Sequence, residues 1–597
     1  MAQVAAASVP GLPAHKGDML RPGPERGRTA AAALPLPLYL HRPGQSSSSS
    51  APAALRQQDP RGERLPRAAL AASLAAAWSL PGAAASWRRR RRAGRVLRRQ
   101  ESEGASLASG GSSAEESESD QEWERWGEPF SWKKAWYPMA VVEDLDPSRP
   151  AKLELLGQDL VAWVDAEGQW RVFEDRCPHR NVPLSEGRIE RDGTLNCSYH
   201  GWRFDGEGRI VAMPQAKSAD LERILANPRA CAATRPAKLL RGVLWVWGES
   251  SPDAALESAL VEPVLPEELT DPEMKGRVAS FEWQWGQRDL PYGWEMGLEN
   301  VTDFAHTAVT HHRVFADRYT DPCPLELKWL RRATNKGGFK FRIDTVRDVP
   351  KEREAGVVNT MEFVPPYYHR VTSTQPSGAS VTLINCFVPT KPGRTRQIPA
   401  KMVLTGPNGE EPPPVILGYK LSNAALPRWV RHVFQPFFVH QDNVFLHEQQ
   451  AILQQEELKT GDSWKKSYWM PCEADKMTIM LRKWLDLNGG IDWIPGVSRD
   501  LSVVDDREFL FDTWKGHTEK CATCRAALEK VSLANRALEY SALLVGSAGI
   551  STSFVLHGVS ESWPLLLGGG ALGLGAALTG KVKELFYTFR YNHQDNE

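Results

Sequence analysis

Cys177-Pro-His179-Arg-Asn-Val-Pro-Leu-Ser-Glu-Gly187, followed by Cys197-Ser-Tyr-His200 with 17 residues between His179 and Cys197, decides the first half of this 597-residue chain. The pattern C-x-H…C-x-x-H offers two thiolates and two imidazoles from two short loops. Two Cys on one iron and two His on the other make a [2Fe–2S] centre with a potential far above that of an all-thiolate cluster. Such a centre passes one electron at a time, so an acceptor is expected elsewhere in the chain. Around the loops the chain reads as short strands. Asp159–Asp165 and Gln169–Asp175 flank Ala166-Glu-Gly168, a hairpin signal, and Val243-Leu-Trp-Val-Trp247 is another strand. An all-β domain is expected over residues 129–255, with Cys177, His179, Cys197 and His200 at its tip.

The acceptor is sought in Glu299-Asn300-Val-Thr-Asp303-Phe-Ala-His306-Thr-Ala-Val-Thr-His311-His312. Asp303 and His306 stand three apart and would share a helix face. His306 and His311 stand five apart, about 140° around a regular helix. Both reach one metal only if the helix loosens, as at a π-bulge. Two His and a carboxylate with positions left open form the facial triad of mononuclear non-haem Fe(II) sites. Residues 260–515 mix strand-like runs such as Val381–Val388 with helical stretches such as Val444–Gln455. The expected class is α+β: an all-β domain, then an antiparallel-sheet domain with helices.

Together the two motifs resemble the Rieske non-haem iron oxygenases, over about residues 130–515. The resemblance implies a Rieske [2Fe–2S] cluster and a mononuclear Fe(II) held by His306 and His311. For the third, distant ligand the match falls on Asp442 in His440-Gln-Asp442-Asn-Val-Phe-Leu-His-Glu448, with Glu448 as fallback. It implies that Asp303 binds no iron but links a cluster His of one subunit to an iron His of the next in a homotrimer, and that Asn300 sits near the iron. Rieske proteins of b-type electron-transport complexes carry an extra Cys in each loop. Here the loops hold Arg180–Pro183 and Ser198, which favours the oxygenase type.

A narrower resemblance, to the plastid pheophorbide a oxygenase-like subfamily, rests on the first loop together with Met213-Pro-Gln-Ala216, Asp289-Leu-Pro-Tyr-Gly293, Cys521-x-x-Cys524 and the apolar C-terminus. Phe304, where relatives usually have Pro, and Thr307–Thr310 are departures near the pocket. The resemblance implies an enzyme that oxygenates a chlorophyll-type tetrapyrrole (pheophorbide a or a related chlorophyllide or protochlorophyllide) with O2 and ferredoxin-derived electrons. The alternative is a non-catalytic redox-sensing or translocon-associated Rieske protein of the envelope. The intact ligand set favours the enzyme.

The remaining segments bear on location. Residues 1–100 hold 16 Arg and one Lys against four acids, a net of +13 that leaves −13 on the rest of a neutral chain. This Ala-, Pro-, Arg- and Ser-rich leader, with the acidic stretch Glu101–Glu124, reads as a disordered plastid transit segment and linker over 1–128. A plain low-complexity arm, or a basic arm for nucleic acid, is the alternative; on the transit reading no nucleic-acid partner is expected. Tyr540–Ser560 and Ser562–Gly580 are uncharged runs separated by Glu561. Near the roughly 20 residues a span needs, they read as two transmembrane helices over 538–582, with a Gly-rich buried hairpin as the alternative. Lys530, Arg536, Lys581, Lys583 and Arg590 flank the pair and place the large domain on the stromal side of an inner-envelope or thylakoid membrane. The segment 516–535 carries Cys521 and Cys524. Three readings stay open there: a redox-regulatory dithiol addressed by thioredoxin, half a zinc site with His517, or an inert pair.

Overall fold

In a computed structural model of the chain the described residues are 126–595, apart from 284–285, 315, 348–355, 413–425, 462–463, 490–506 and 556–561. The expected transit segment and acidic linker, through residue 125, and the turn at Glu561 lie outside the described residues.

The first domain is all-β. Trp136–Val141, Val243–Trp247 and Ala237–Leu240 form a three-stranded sheet with Val243–Trp247 in the middle. All five residues of that strand are buried, so it reads as a continuous apolar run. Ala151–Leu155, Gln158–Val164, Trp170–Glu174 and Thr234–Arg235 form a second sheet. The expected hairpin is present: Val164 pairs with Trp170, and Gly168 takes φ +74° in the turn. Leu155 pairs with Gln158 across Leu156 (φ +52°) and Gly157 (φ +82°). Two positive φ values make a primed turn that follows the strand twist. Leu156 N donates to Pro389 O (2.9 Å) and Gly157 N to Thr390 O (2.6 Å), so this tip is hydrogen-bonded to the second domain. A third sheet of very short strands, Arg188–Ile189, Leu195–Asn196, Arg203–Phe204 and Ile210–Ala212, lies around the cysteine loops. Phe173, Leu184, Leu195, Phe204 and Ile210 give it a core of its own.

The second domain is an eight-stranded antiparallel sheet. Its order is Val278–Trp283, Arg394–Leu404, Ser380–Lys391, Tyr368–Thr374, Val358–Val364, Gly338–Thr345 and Leu325–Thr334, with Arg288–Leu290 also paired to Arg394–Leu404. Burial alternates where one face meets the core, as at Phe339, Phe341 and Ile343. The helix Trp294–Thr302 rests on the strand Ser380–Lys391 at Gly297, where a Cβ would stand 2.4 Å from Phe387 Cδ1. The helix Pro436–Thr460 is tied to the segment before Trp294–Thr302. Gln450 Oε1 accepts from Gly293 N (2.7 Å), and His447 Nδ1 donates to Pro291 O (2.6 Å). The α+β expectation therefore holds.

The C-terminal helices are Ala522–Val555 and Trp563–Glu584. The first does not begin near 538 behind a separate C-x-x-C segment, as expected. Ala522–Glu539 is rich in Ala, Leu, Glu, Lys and Arg, strong helix formers without Gly or Pro, and the helix runs through it unbroken. The two helices are antiparallel and approach at their small residues: a Cβ on Gly569 would stand 2.9 Å from Gly546 Cα. Asn535 Nδ2 donates to Ala576 O across the pair (2.9 Å). Leu543, Leu544, Phe554, Leu567, Leu574 and Leu578 are exposed on the outside. Two spans were expected; among the described residues one helix, Trp563–Glu584, is long and apolar enough to cross a membrane.

Candidate functional site

The two cysteine loops are built alike. In each, the Cys N–H donates to the carbonyl five residues on (Val182, Trp202) at 2.9 Å. The residue four on (Asn181, Gly201) returns a hydrogen bond to the Cys carbonyl, at 2.8 and 2.9 Å. That fourth residue takes a positive φ in both loops, +57° at Asn181 and +70° at Gly201. Asn tolerates this conformation better than most residues, and Gly adopts it freely. The turns bury Cys177 and Cys197 and leave His179 exposed and His200 half-buried. The imidazole centroids are 4.6 Å apart, and His179 stacks on Trp202 at 4.5 Å. Burial, then the neighbouring Cys197 sulfur, pushes the Cys177 thiol up to about 12. Two sulfurs crowded in a dry pocket beneath two outward imidazoles suit a cationic iron pair as ligands.

The segment 299–312 departs from the single loosened helix expected. Trp294–Thr302 ends, Asp303 is extended (φ −90°, ψ 101°), and a one-turn helix follows at Thr307–Thr310. His306 and His311 are its two cap residues. The break comes from Asp303 itself, whose Oδ1 accepts from Ala305 N at 2.8 Å, an Asx turn that competes with the helix. Asp303 and His306 therefore do not share a helix face, and the histidines come together at the two ends of a one-turn helix, which stops at His311 (φ −94°, ψ 39°), rather than around a π-bulge.

Convergence is nonetheless close. Ligand atoms of His306, His311 and Asp442 all lie within 4.8 Å of one another. His306 Nδ1 donates to Asp303 O (2.5 Å), leaving Nε2 free to bind, with Asn300 Nδ2 3.4 Å from it. His311 Nδ1 donates to Gln441 Oε1 (2.7 Å). Its Nε2 is buried with no hydrogen-bond partner and faces Asp442 Oδ2 at 3.6 Å. Burial, opposed by Asp442, keeps the His311 imidazole below its usual pKa and therefore neutral, the form that binds a metal. An orphaned imidazole nitrogen facing a carboxylate and a second imidazole fits a mononuclear iron. Glu448, the fallback, is not part of this cluster. The Asp303 carboxylate is 39% exposed and lies 3.7 Å from His306 Nδ1. Among the described residues it makes no hydrogen bond to His179 or His200.

Several supporting residues were not foreseen. Gln441 is one. Tyr292, of the Asp289–Gly293 motif, is buried close to Asp442; burial first, and Asp442 second, raises its hydroxyl pKa. Asp289 of the same motif pairs with Arg396 (2.7 and 3.0 Å) and with Lys520. Burial would raise the Asp289 carboxyl, but the two cations outweigh it and hold it well below the ordinary carboxylate range. The C-terminal tail returns to the site as well: His593 Nε2 donates to Gln441 O (2.7 Å) and Phe589 O accepts from His440 Nδ1 (2.8 Å). No sequence motif marks this return.

Cys521 and Cys524 are both buried, and His517 joins them as one reading anticipated. His432, which no spacing pointed to, completes a second group of four. The adjacent Cys524 thiol, then burial, pushes the Cys521 thiol up, the opposite of an activated redox cysteine.

Comparison with known proteins gives the family. The Rieske [2Fe-2S] domain family model matches residues 135–228, and the Pheophorbide a oxygenase model matches 363–459, which includes Asp442. Chloroplastic pheophorbide a oxygenase of Oryza sativa subsp. japonica is 30% identical over 67% of this chain and 74% of its own length. Chloroplastic flavonoid 8-hydroxylase 2 of Ocimum basilicum is 30% identical over 78% of this chain and 86% of its own length. Protochlorophyllide-dependent translocon component 52 of Arabidopsis thaliana is 29% identical over 67% and 74%.

Proposed function

Since the chain belongs to the Rieske non-haem iron oxygenases, in the branch that holds pheophorbide a oxygenase, we propose that it oxygenates a chlorophyll-type tetrapyrrole in the chloroplast, drawing electrons from ferredoxin. The observation that carries this reading is the meeting of His306, His311 and Asp442 from segments over 130 residues apart. The family's two iron groups supply one-electron delivery and dioxygen activation. The chain's own residues do the rest. Cys177, His179, Cys197 and His200 would hold the cluster, and His306, His311 and Asp442 the iron. Gln441 Oε1 and the Asp303 carbonyl lock the two imidazoles in the tautomer that turns Nε2 to the metal. Tyr292 and the burial of His311 and Asp442 keep water from one side of the site. Asn300 places an amide beside the metal-facing nitrogen of His306.

A flat macrocycle is favoured by the ligand helix. Phe438 and Phe445, about one turn to either side of Gln441 on that helix, are substantially exposed, and Phe438 stacks on His311 at 3.9 Å. The half-exposed Asp303 carboxylate supports its assigned place between a cluster histidine of one subunit and His306 of the next, in a homotrimer. The exposed leucines of the C-terminal helix pair support membrane anchoring, with the large domain on the stromal side. A thioredoxin role for Cys521 and Cys524 has less support, because both sulfurs are buried.

The test is His306→Ala in the full chain with ferredoxin and a panel of pheophorbide a, chlorophyllide, protochlorophyllide and a flavone, read by product mass. Oxygenation should vanish while the Rieske EPR signal stays. Retained turnover would refute the iron assignment, and flavone turnover without pigment turnover would refute the substrate class alone.

A further inference from the structure

The group His432, His517, Cys521 and Cys524 is separate from both iron sites and is buried throughout. Its ligand atoms have the spacing of a coordination polyhedron. His517 Nε2 lies 3.2 Å from His432 Nδ1 and 3.3 Å from Cys524 Sγ. His432 Nδ1 lies 3.4 Å from Cys524 Sγ and 3.6 Å from Cys521 Sγ. Tetrahedral zinc, with bonds of about 2.0 Å to nitrogen and about 2.3 Å to sulfur, has N···N edges of about 3.3 Å and N···S edges of about 3.6 Å. All four observed edges fall within about 0.3 Å of those values. The surroundings are those of a metal site. Gln287 O accepts from His517 Nδ1 (2.6 Å), which fixes Nε2 as the inward-facing lone pair. Gly286 takes φ +70°, and a Cβ there would stand 2.6 Å from His517 Cε1 and 3.1 Å from His432 Cγ, so the backbone closes over both imidazoles. The buried Arg288 guanidinium lies near both sulfurs. A thiol–disulfide switch would need none of these, and would need its sulfurs within reach of a partner protein.

We propose that His432, His517, Cys521 and Cys524 bind a structural zinc ion that clamps the base of the C-terminal helix pair to the helix Arg428–Phe434, directly ahead of the helix that carries Asp442. Binding of Zn²⁺ replaces the proton on each of the two thiols, both protons passing to solvent, while each imidazole binds through a ring-nitrogen lone pair; no electrons move. An S₂N₂ set selects zinc over the harder divalent ions.

The full-length protein is purified in detergent and its zinc and iron are counted beside the Rieske EPR signal. About one zinc per chain is expected, resistant to dialysis against a mild chelator. Cys524→Ser should lose it at least tenfold more readily, with the Rieske signal unchanged. His517→Cys, which keeps four ligands, should retain it. Protein grown on cobalt should show intense tetrahedral visible bands with thiolate charge transfer, and this reading decides the matter even if Cys524→Ser fails to fold. Absence of zinc and of the cobalt bands, wild-type zinc retention in Cys524→Ser, or a Cys521–Cys524 disulfide in the purified chain would each overturn the proposal.

Discussion

Gln441→Leu isolates the support of one iron ligand from the ligand itself. In the wild-type chain Gln441 Oε1 accepts the His311 Nδ1 proton at 2.7 Å, and the His311 side chain is 1% exposed. Leucine fills similar volume but leaves that N–H without an acceptor in a dry pocket. An unmade buried hydrogen bond costs about 1–3 kcal/mol. At about 1.4 kcal/mol per factor of ten, iron affinity should fall roughly 5- to 150-fold. That range overlaps the roughly 10–100-fold typical of outer-shell partners of metal-binding histidines. The assay is iron retention against a graded chelator, with the Rieske EPR signal of the same sample as internal reference. Gln441→Glu keeps an acceptor oxygen and should retain iron. If Gln441→Leu held iron as tightly as the wild type, the orientation argument would fail. Parallel loss of the Rieske signal would mean general unfolding and equally defeat the site-specific account.

Two further outcomes are expected. Asp289→Asn removes the partly exposed carboxylate that pairs with the buried Arg396 guanidinium and should cost about 3 kcal/mol at neutral pH, read as a lowered denaturation midpoint. Because the folded Asp289 carboxyl sits below its unfolded value, that stability is present above about pH 4 and fades as pH falls further, so the gap between variant and wild type should close in acid; a pH-independent gap would contradict the ion-pair origin. Gly297→Val drives a side chain into the Phe387 ring and should destabilise by about 1–3 kcal/mol, with partial rescue by Phe387→Leu; an unchanged melting temperature for the single variant would show that the helix does not rest there.

Legibility in the sequence followed the distance between partners. The cluster loops were readable because each ligand pair is local and each turn needs its own residue types, Asn181 and Gly201 included. His306 and His311 were readable for the same reason. Their backbone was not, because the break depends on an Asp303 hydrogen bond that no periodicity displays. Asp442 required the resemblance: it lies on another helix, and a carboxylate in a stretch of mixed polar and apolar residues has no signature of its own. Gln441, Tyr292 and His593 support the site only through tertiary contact. His432 stands 85 residues before His517 without any spacing rule to join them, so Cys521-x-x-Cys524 looked like half a motif. The strand Val243–Trp247 and the Asp165–Gln169 hairpin were secure because composition and turn chemistry agreed.

The return of the tail from the apolar helices to Gln441 governs how a detergent-free form of this protein should be engineered. Cutting the chain ahead of the hairpin would discard Phe589 and His593 along with the apolar segment, and so remove a prop from the metal pocket. Excision is the better route. Leu538 Cδ1 and the Cβ position of Gly575 are 3.6 Å apart across the helix pair, so a short loop could splice out the apolar portion beyond them and leave the final residues in place.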